Sequence, residues 1–105
     1  MKKHHTLSEI LHNATDECWA VGHFNISNAE QLKAIVGAAR AKKSYVMIGL
    51  SEGERAHVGL NVAVALVRAY EEEFGMPMFL NADHSKTVES ALAAARAGFN
   101  SIHID

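Results

Sequence analysis

Apolar residues follow two alternating patterns along the chain. Some form short continuous runs, which is typical of buried strands, and others recur three or four residues apart, as on the buried face of a helix. The pattern predicts strands 1 to 4 over 19–26, 45–50, 78–82 and 101–104, with a polar loop over 51–57 after strand 2. A lead-in helix is predicted before strand 1, behind a capping box at Thr6-x-x-Glu9. The helices between the strands are predicted from a capping box at Ser27-x-x-Glu30 to about Lys42, from about Leu60 to a close at Gly75 and Pro77, and from near Thr87 to Gly98. Alternating strands and amphipathic helices imply a parallel sheet with right-handed crossovers.

Side chains alternate between the two faces of a strand, so each predicted strand can be divided into two faces. One face is apolar and suits packing against helices, whereas the other ends in Asn25, Ser51, Asp83 and Asp105 on strands 1 to 4. An open flavodoxin-like sheet needs apolar residues on both faces because helices cover both. A barrel has helices on one side only and collects polar groups at the top of its lumen. The pattern therefore favours an α/β fold of the (β/α)8 TIM-barrel type, of which this chain supplies about the first four βα units, a half barrel.

Composition narrows the class of protein further. The chain has 105 residues, enough for one domain, with 49% hydrophobic residues, 21% charged residues and a formal net charge of -2. It has no basic stripe for nucleic acid and no apolar run long enough to cross a bilayer. The single cysteine, Cys18, excludes an internal disulfide and a CxxC metal motif. The amino terminus lacks the apolar region of a signal peptide, so we expect a cytoplasmic protein with no nucleic-acid or membrane partner.

Candidate chemistry is concentrated at Asp83 and His84, which follow a buried apolar run. The carboxyl ends of parallel strands are where α/β proteins place their functional groups. A carboxylate beside a neutral imidazole suits metal ligation, proton transfer, or both. For the dipeptide alone, a helix-capping aspartate and a surface histidine are the commoner outcome.

Four stretches carry a resemblance to a known family: Asn81-Ala-Asp-His-Ser85, Ala97-Gly-Phe-Asn-Ser-Ile-His-Ile-Asp105, Ala20-Val-Gly-His-Phe-Asn-Ile26 and Ile48-Gly-Leu-Ser51. Together they resemble the class II, metal-dependent ketose-bisphosphate aldolases, over nearly the whole chain but only the amino-terminal part of that family's barrel. The resemblance implies the same TIM barrel. It also implies zinc-dependent, reversible cleavage of fructose- or tagatose-1,6-bisphosphate, a small phosphorylated sugar, to dihydroxyacetone phosphate and glyceraldehyde 3-phosphate, as part of a longer chain.

The resemblance also implies roles for individual residues. Asp83 matches the catalytic acid/base that handles the proton of the hydroxyl that becomes the aldehyde, and His84 matches a zinc ligand. Asp105 matches the acid that contributes to a second metal position, or to an alternative resting place of the metal. Asn25 and Ser51 match substrate-contacting positions on the first two strands.

Most of these residues have a structural alternative. Asp83 can instead cap the helix that begins near Thr87, and Asn25 and Ser51 can be turn formers. His23 and His103 lie on the inward face, but the family pattern has no ligand there. We therefore expect them to be packed or hydrogen-bonded core histidines.

Two further observations concern the surface and the substrate. The remaining histidines are expected to be solvated: His4, His5, His12 and His57. Glu52, Glu54 and Arg55 replace the Ser-Pro-Gly pattern that is common after the family's second strand, which leaves the substrate open.

The chain supplies only part of a complete site. A full barrel has about 250 residues and eight strands, and catalytic zinc usually has about three protein ligands, of which only His84 is identified. On its own, the 105-residue chain is expected to bind metal weakly, to show no turnover, and to dimerise into a pseudo-barrel, aggregate or stay loosely packed. Two other functions remain open: a non-catalytic half barrel that oligomerises or binds a ligand, and a different barrel enzyme with a phosphate-bearing substrate.

Overall fold

The computed structural model describes residues 6–105, which form one parallel sheet and the helices that connect its strands. The strands are β1 (Gly22–Asn25), β2 (Val46–Leu50), β3 (Phe79–Ser85) and β4 (Ser101–Ile104), in the spatial order β1-β2-β3-β4. The helices are α1 (Leu7–Glu17), α2 (Ala29–Lys42), α3 (Glu52–Val58), α4 (Leu60–Phe74) and α5 (Val88–Ala97). The predicted α/β organisation and parallel pairing are confirmed. The expected solvation of His4 and His5 concerns residues outside the described range.

The hydrophobic core lies between one face of the sheet and the helices. Ile48 and Leu80 on the central strands are fully buried, and they pack in one cluster with Leu32 and Val36 of α2 and Val67 of α4. Burial of each such aliphatic side chain contributes about 1.5 to 3 kcal/mol. The core therefore draws on the apolar face that the alternation of residues predicted.

Helix ends follow the capping signals in the sequence. Thr6 accepts a hydrogen bond from the backbone N–H of Glu9 at 3.1 Å and starts α1, as predicted. Gly75 and Gly98 end α4 and α5 in the left-handed conformation, which glycine adopts without steric cost. Thr87 caps α5 through the N–H of Ser90 at 3.0 Å. The alternative in which Asp83 caps this helix is therefore wrong.

The start of α2 differs from the prediction by one residue. Asn28, rather than Ser27, is the N-cap, and its side chain accepts from the N–H of Gln31 at 2.8 Å. The Gln31 carboxamide in turn accepts from the N–H of Ser27 at 2.6 Å. Asparagine is as good a cap as serine, and Gln31 completes the reciprocal bonds that the sequence had assigned to Glu30. Strand β1 is also shorter than predicted, because it begins at Gly22.

The predicted polar loop over 51–57 is wrong, because this stretch forms α3. Ser51 accepts from the N–H of Glu54 at 3.2 Å, and the Glu54 carboxylate accepts from the N–H of Ser51 at 2.8 Å. These two bonds form a complete capping box. The helix ends before Gly59, whose φ of 101° is unfavourable for other residues.

Strand β3 contains a bulge where the prediction ended the strand. Ala82 pairs with Ile102 and Ser85 pairs with Ile104, so Asp83 and His84 together lie opposite a single residue of β4. His84 has a φ of 41°, in the left-handed region. Neighbouring side chains in a regular strand point to opposite faces. The bulge breaks this alternation and allows Asp83 and His84 to reach the same edge of the sheet.

The amino ends of the strands are held by aromatic packing. The rings of Trp19 and Tyr45 stack with centroids 6.3 Å apart, and Tyr45 lies 6.5 Å from Phe79. At the same end, Arg68 of α4 pairs with Glu71. Glu71 also accepts from the N–H of Met78 at 2.8 Å, so these contacts connect the segment after α1, and α4, to the ends of the strands opposite the bulge.

Candidate metal and active site

The Asp83 carboxylate is the centre of the polar cluster at the carboxyl ends of the strands. Asn25 of β1 donates a hydrogen bond to its Oδ2 at 3.2 Å. Its Oδ1 lies 3.5 Å from Nδ1 of His103 and 3.8 Å from Nε2 of His84. Burial raises the pKa of Asp83, but the hydrogen bonds from Asn25 and His103 and the charges of the histidines outweigh it, so that its pKa lies below the ordinary value. This carboxylate is therefore ionised at neutral pH.

The His84 imidazole lies between two carboxylates. Its Nδ1 is 2.9 Å from Oδ2 of Asp105, and this hydrogen bond is the main reason why the pKa of His84 is raised, with the charges of Asp105 and Asp83 adding to it. In the neutral ring with its proton on Nδ1, Nε2 presents a lone pair toward Asp83. An acidic partner on the distal nitrogen is the usual arrangement for a histidine that binds a metal.

Three residues could hold a metal ion here. One potential ligand atom each from Asp83, His84 and His103 lies within 4.8 Å of the others. Two imidazoles and a carboxylate are the donor types that zinc takes in proteins, so the residues present fit this metal. Asp105 was predicted to contribute to a second metal position. In the structure it contacts Nδ1 of His84 and lies outside the group of three residues.

The expectation that His23 and His103 lie in the core is wrong, although both make the side-chain hydrogen bonds that were expected of them. The side chain of His103 is 47% exposed, and its ring lies 4.5 Å from the ring of His84. His23 is also exposed, and its Nε2 lies at hydrogen-bond distance, 3.1 Å, from Nδ2 of Asn81. The alternation of side chains placed His103 on the same inward face as Asp83, and this was the sequence signal that His103 could belong to the site. Its proximity to His84 depends on the bulge, which the sequence did not reveal.

Asn25 and Ser51 join the cluster in different ways. Asn25 donates to Asp83 and also to Oε1 of Glu54 at 3.0 Å. The Ser51 hydroxyl is occupied by the cap of α3, and Ser51 is linked to Asn25 only because Glu54 accepts from the Ser51 N–H as well. Contact with substrate remains a prediction for both residues.

Arg55 of α3 is a buried part of the site that the sequence analysis noted only as a departure from the family pattern. It is 5% exposed. Its guanidinium donates to the carbonyl oxygens of Leu50 at 2.7 Å and Asp83 at 3.2 Å. It also donates to the hydroxyls of Ser85 at 3.2 Å and Ser90 at 3.1 Å. The side chain thus joins the ends of β2 and β3 to α5.

Several known proteins are similar to this chain. It is 39% identical over 103 residues to a probable fructose-bisphosphate aldolase of Bacillus subtilis, covering 95% of this chain and 36% of that protein. It is 33% identical over 96 residues to a sulfofructosephosphate aldolase of Alkalicoccus urumqiensis, covering 91% and 33%. The crystal structure of the YdjI aldolase from Escherichia coli K12 superposes with a TM-score of 0.83 at 26% identity, covering 93% of this chain and 38% of that one. The chain thus spans about a third of the length of the curated relatives that it matches.

Two further findings concern the helices and the family of the chain. Within the described residues, no helix is both long and apolar enough to span a membrane. The family model described as class II fructose-bisphosphate aldolase matches residues 5–105. The chain therefore belongs to the class II fructose-bisphosphate aldolase family of metal-using lyases in carbohydrate metabolism, and it corresponds to their amino-terminal part.

Proposed function

We propose that this protein, as part of a longer chain, carries out zinc-dependent, reversible aldol cleavage of fructose- or tagatose-1,6-bisphosphate to dihydroxyacetone phosphate and glyceraldehyde 3-phosphate. The observation that carries the proposal is the bulge in β3. It brings an ionised carboxylate, Asp83, and two imidazoles, His84 and His103, to one edge of the sheet. Family membership supports a sugar-phosphate substrate.

Asp83 is the proposed proton acceptor. Cleavage of the ketose breaks one carbon–carbon bond: the hydroxyl on the aldehyde-forming carbon loses its proton, and the electron pair of the broken bond passes to the carbon on the ketone side. Protonation of that carbon completes dihydroxyacetone phosphate. The Asp83 carboxylate is ionised at neutral pH, since its pKa lies below the ordinary value, and an ionised carboxylate can accept the proton. Asn25 holds the carboxylate by a hydrogen bond and keeps one of its oxygens in a fixed position.

His84 is the proposed zinc ligand, with His103 as the neighbouring imidazole donor. A zinc ion bound there would act as a Lewis acid on the ketose carbonyl. Asp105 orients the His84 ring through Nδ1, and its contribution to a second metal position stays a prediction. Asn25 and Ser51 are the proposed substrate contacts on β1 and β2.

We also propose that residues 1–105 form the amino-terminal half of a (β/α)8 barrel. The edge strands of the sheet are β1 and β4. Both carry an exposed apolar side chain: Phe24 is 51% exposed and Ile104 is 61% exposed. In a closed barrel, further strands pair with both edges and further helices cover such side chains. Association into a homo-oligomer would cover apolar surface in the same way.

The proposal is tested with the protein expressed at the full length that its gene encodes. With zinc present, the Asp83→Ala variant should lose about two to four orders of magnitude in kcat for fructose- or tagatose-bisphosphate cleavage. Asp16→Ala, an exposed aspartate of α1, is the matched control and should cleave like the parent. Full activity in Asp83→Ala would contradict the role assigned to this residue.

The intact mass of the natural protein decides between the enzyme and the non-catalytic half barrel. A mass well above 11.4 kDa, with a reading frame that continues into strands bearing further histidines, supports the aldolase. A mass of 11.4 kDa would make an oligomerising or ligand-binding module the better interpretation, because with Asp83 assigned to proton transfer the two imidazoles leave zinc short of its usual three protein ligands. Continuation without those histidines would favour a different barrel enzyme.

A further inference from the structure

The helix α3 directs most of its polar side chains at the strand ends around it. Glu54 holds Asn25 of β1 at 3.0 Å, and Glu52 accepts from the backbone N–H of Lys86, just after β3, at 3.0 Å. Arg55 lies between them and is the buried member of the three. A seven-residue helix therefore contacts the segments on both sides of the candidate site.

The partners of Arg55 are unusual for a buried cation. Among residues 6–105, no carboxylate lies within ion-pair distance of its guanidinium, and the charges of Glu52 and Asp83 act on it only from further away. The donors instead meet two backbone carbonyls and two hydroxyls. A buried charge without a carboxylate partner is costly unless its hydrogen bonds are satisfied. The guanidinium is therefore suited to fixing the positions of those four acceptors.

Two of the four acceptors lie on either side of His84. The carbonyl of Asp83 belongs to the peptide bond that joins Asp83 to His84, and Ser85 is the next residue. His84 itself has the left-handed φ of 41°, which costs energy in a residue with a side chain. Such a conformation persists only where its surroundings hold it, and Arg55 binds the chain immediately before and after it.

We infer that Arg55 is a positioning residue that fixes the bulge, so that the Asp83 carboxylate and the His84 imidazole face one metal site. Its guanidinium donates to backbone carbonyls and hydroxyls beside the bulge, and it acts on the site through them. This inference rests on the proposed function only where turnover is the readout. The bulge and the affinity for zinc can be measured without any reaction.

The chain offers a matched control in Arg68. This arginine also donates to two carbonyls, of Met78 at 3.3 Å and Gly98 at 3.2 Å, and to the side chain of Asn100 at 3.1 Å. These contacts lie at the amino end of β3, away from the bulge. Loss of either arginine removes hydrogen bonds to two carbonyls, and loss of Arg68 also breaks its ion pair with Glu71, but only loss of Arg55 releases the bulge.

The experiment compares Arg55→Met, Arg55→Lys and Arg68→Met in the natural protein. Zinc affinity of the metal-free protein is measured by competition with a chelating dye, and backbone hydrogen exchange is followed over residues 82–87. We expect Arg55→Met to lose about tenfold or more in zinc affinity, the usual effect of removing a group that orients a ligand, and to exchange faster over the bulge. Arg68→Met should lower the melting temperature but keep both zinc affinity and slow exchange at the bulge.

Two further readouts separate positioning from a general loss of structure. Arg55→Lys keeps a cation that can reach the Leu50 and Asp83 carbonyls, so it should recover part of the zinc affinity. In Arg55→Met, kcat should fall about tenfold or more, while KM stays within about threefold of the parent, because the substrate contacts remain. If Arg55→Met does not fold, Ser85→Ala, which removes the Arg55 acceptor that follows the bulge, should still lose zinc affinity relative to the parent.

The outcomes are distinct for the two proposals. Equal loss of melting temperature in Arg55→Met and Arg68→Met, with zinc affinity and exchange at the bulge unchanged, would overturn the positioning role. Zinc affinity and exchange at the bulge that stay equal to the parent in Ser85→Ala would overturn it also. A parent protein that binds zinc but cleaves no ketose bisphosphate would refute the proposed function alone, and zinc affinity and exchange would still decide the role of Arg55.

Discussion

The two ends of the sheet are built from different chemistry. Where the strands begin, the ring of Trp19 stacks on Tyr45, the ring of Tyr45 packs against the tilted ring of Phe79, and Phe79 is 3% exposed. Where they end, Asp83 and His84 form a half-exposed polar cluster. In barrels the first end contributes stability and the second carries the chemistry. The contrast implies that substitutions at the two ends should have separable effects.

The two arginines show the same contrast. Arg68, at the amino end, is paired with the carboxylate of Glu71 and is 36% exposed. Arg55, at the carboxyl end, is buried and meets only carbonyls and hydroxyls. An arginine without a carboxylate partner leaves the nearby carboxylate of Asp83 free for other contacts. The Asp83 carboxylate thus stays available, while Arg55 holds the backbone of the same residue through its carbonyl.

The largest effect on stability is expected at the amino end. Phe79→Ala removes a buried ring from the aromatic stack and should lower the free energy of unfolding by about 3 to 5 kcal/mol, measured by denaturant titration. Zinc affinity of the folded molecules should not change, because Phe79 is four residues from Asp83 at the far end of β3. A loss of zinc affinity comparable to that in Arg55→Met would contradict the separation of the two ends.

Zinc should stabilise the protein through the carboxyl end. At about 100 times its dissociation constant, zinc should raise the free energy of unfolding by about 2.7 kcal/mol. His84→Ala should remove most of this gain, whereas His12→Ala, on exposed α1, should retain it. Both are measured as melting curves with zinc and with chelator. Equal gains in the two variants would refute His84 as the ligand.

A smaller effect is expected in the middle of the sheet. A Cβ at Gly49 would lie 2.3 Å from Nε2 of His23, so Gly49→Ala must displace that ring and break its contact with Asn81. Because His23 is exposed and can rotate, the loss of stability should be about 1 kcal/mol, at the low end for overpacking. Gly37→Ala, in α2 with open space around it, should instead gain about 0.5 to 1 kcal/mol. A gain in Gly49→Ala equal to that in Gly37→Ala would show that the contact of His23 with Asn81 makes no contribution.

The smallest effect concerns pH. The pKa of His84 is raised in the metal-free protein, chiefly by its hydrogen bond to Asp105, so folding favours the protonated ring. Its contribution to stability is therefore complete below the ordinary pKa of about 6.5 and is lost as the pH rises through the folded value. The difference in melting temperature between the parent and Asp105→Asn should follow this course. A difference that does not change with pH would contradict it.

The sequence predicted the parts of the fold that depend on local signals. Capping residues and terminal glycines located α1, α4 and α5, and alternation located the apolar face. Helix α3 was missed although Ser51-x-x-Glu54 has the capping-box form, because the stretch lacks the apolar stripe on which the other helices were recognised. Its buried residue is Arg55, a cation that sequence patterns assign to the surface.

The candidate site was predicted in part for a similar reason. Asp83 and His84 were identified from a motif, whereas His103 was assigned to the core. Its place beside His84 follows from the pairing of β3 with β4 around the bulge, and no glycine in the stretch 82–85 marks this irregularity. Pairing between strands is a tertiary property, so the local sequence did not contain it.

The bulge also bears on how such a site is gained or lost. Because β3 has one more residue than β4 across this segment, no substitution in a regular strand reproduces the arrangement of Asp83 and His84. Building the site into another sheet requires an inserted residue. Conversely, deletion of a single residue here would restore regular pairing, and the resulting chain would keep its sheet while losing the cluster.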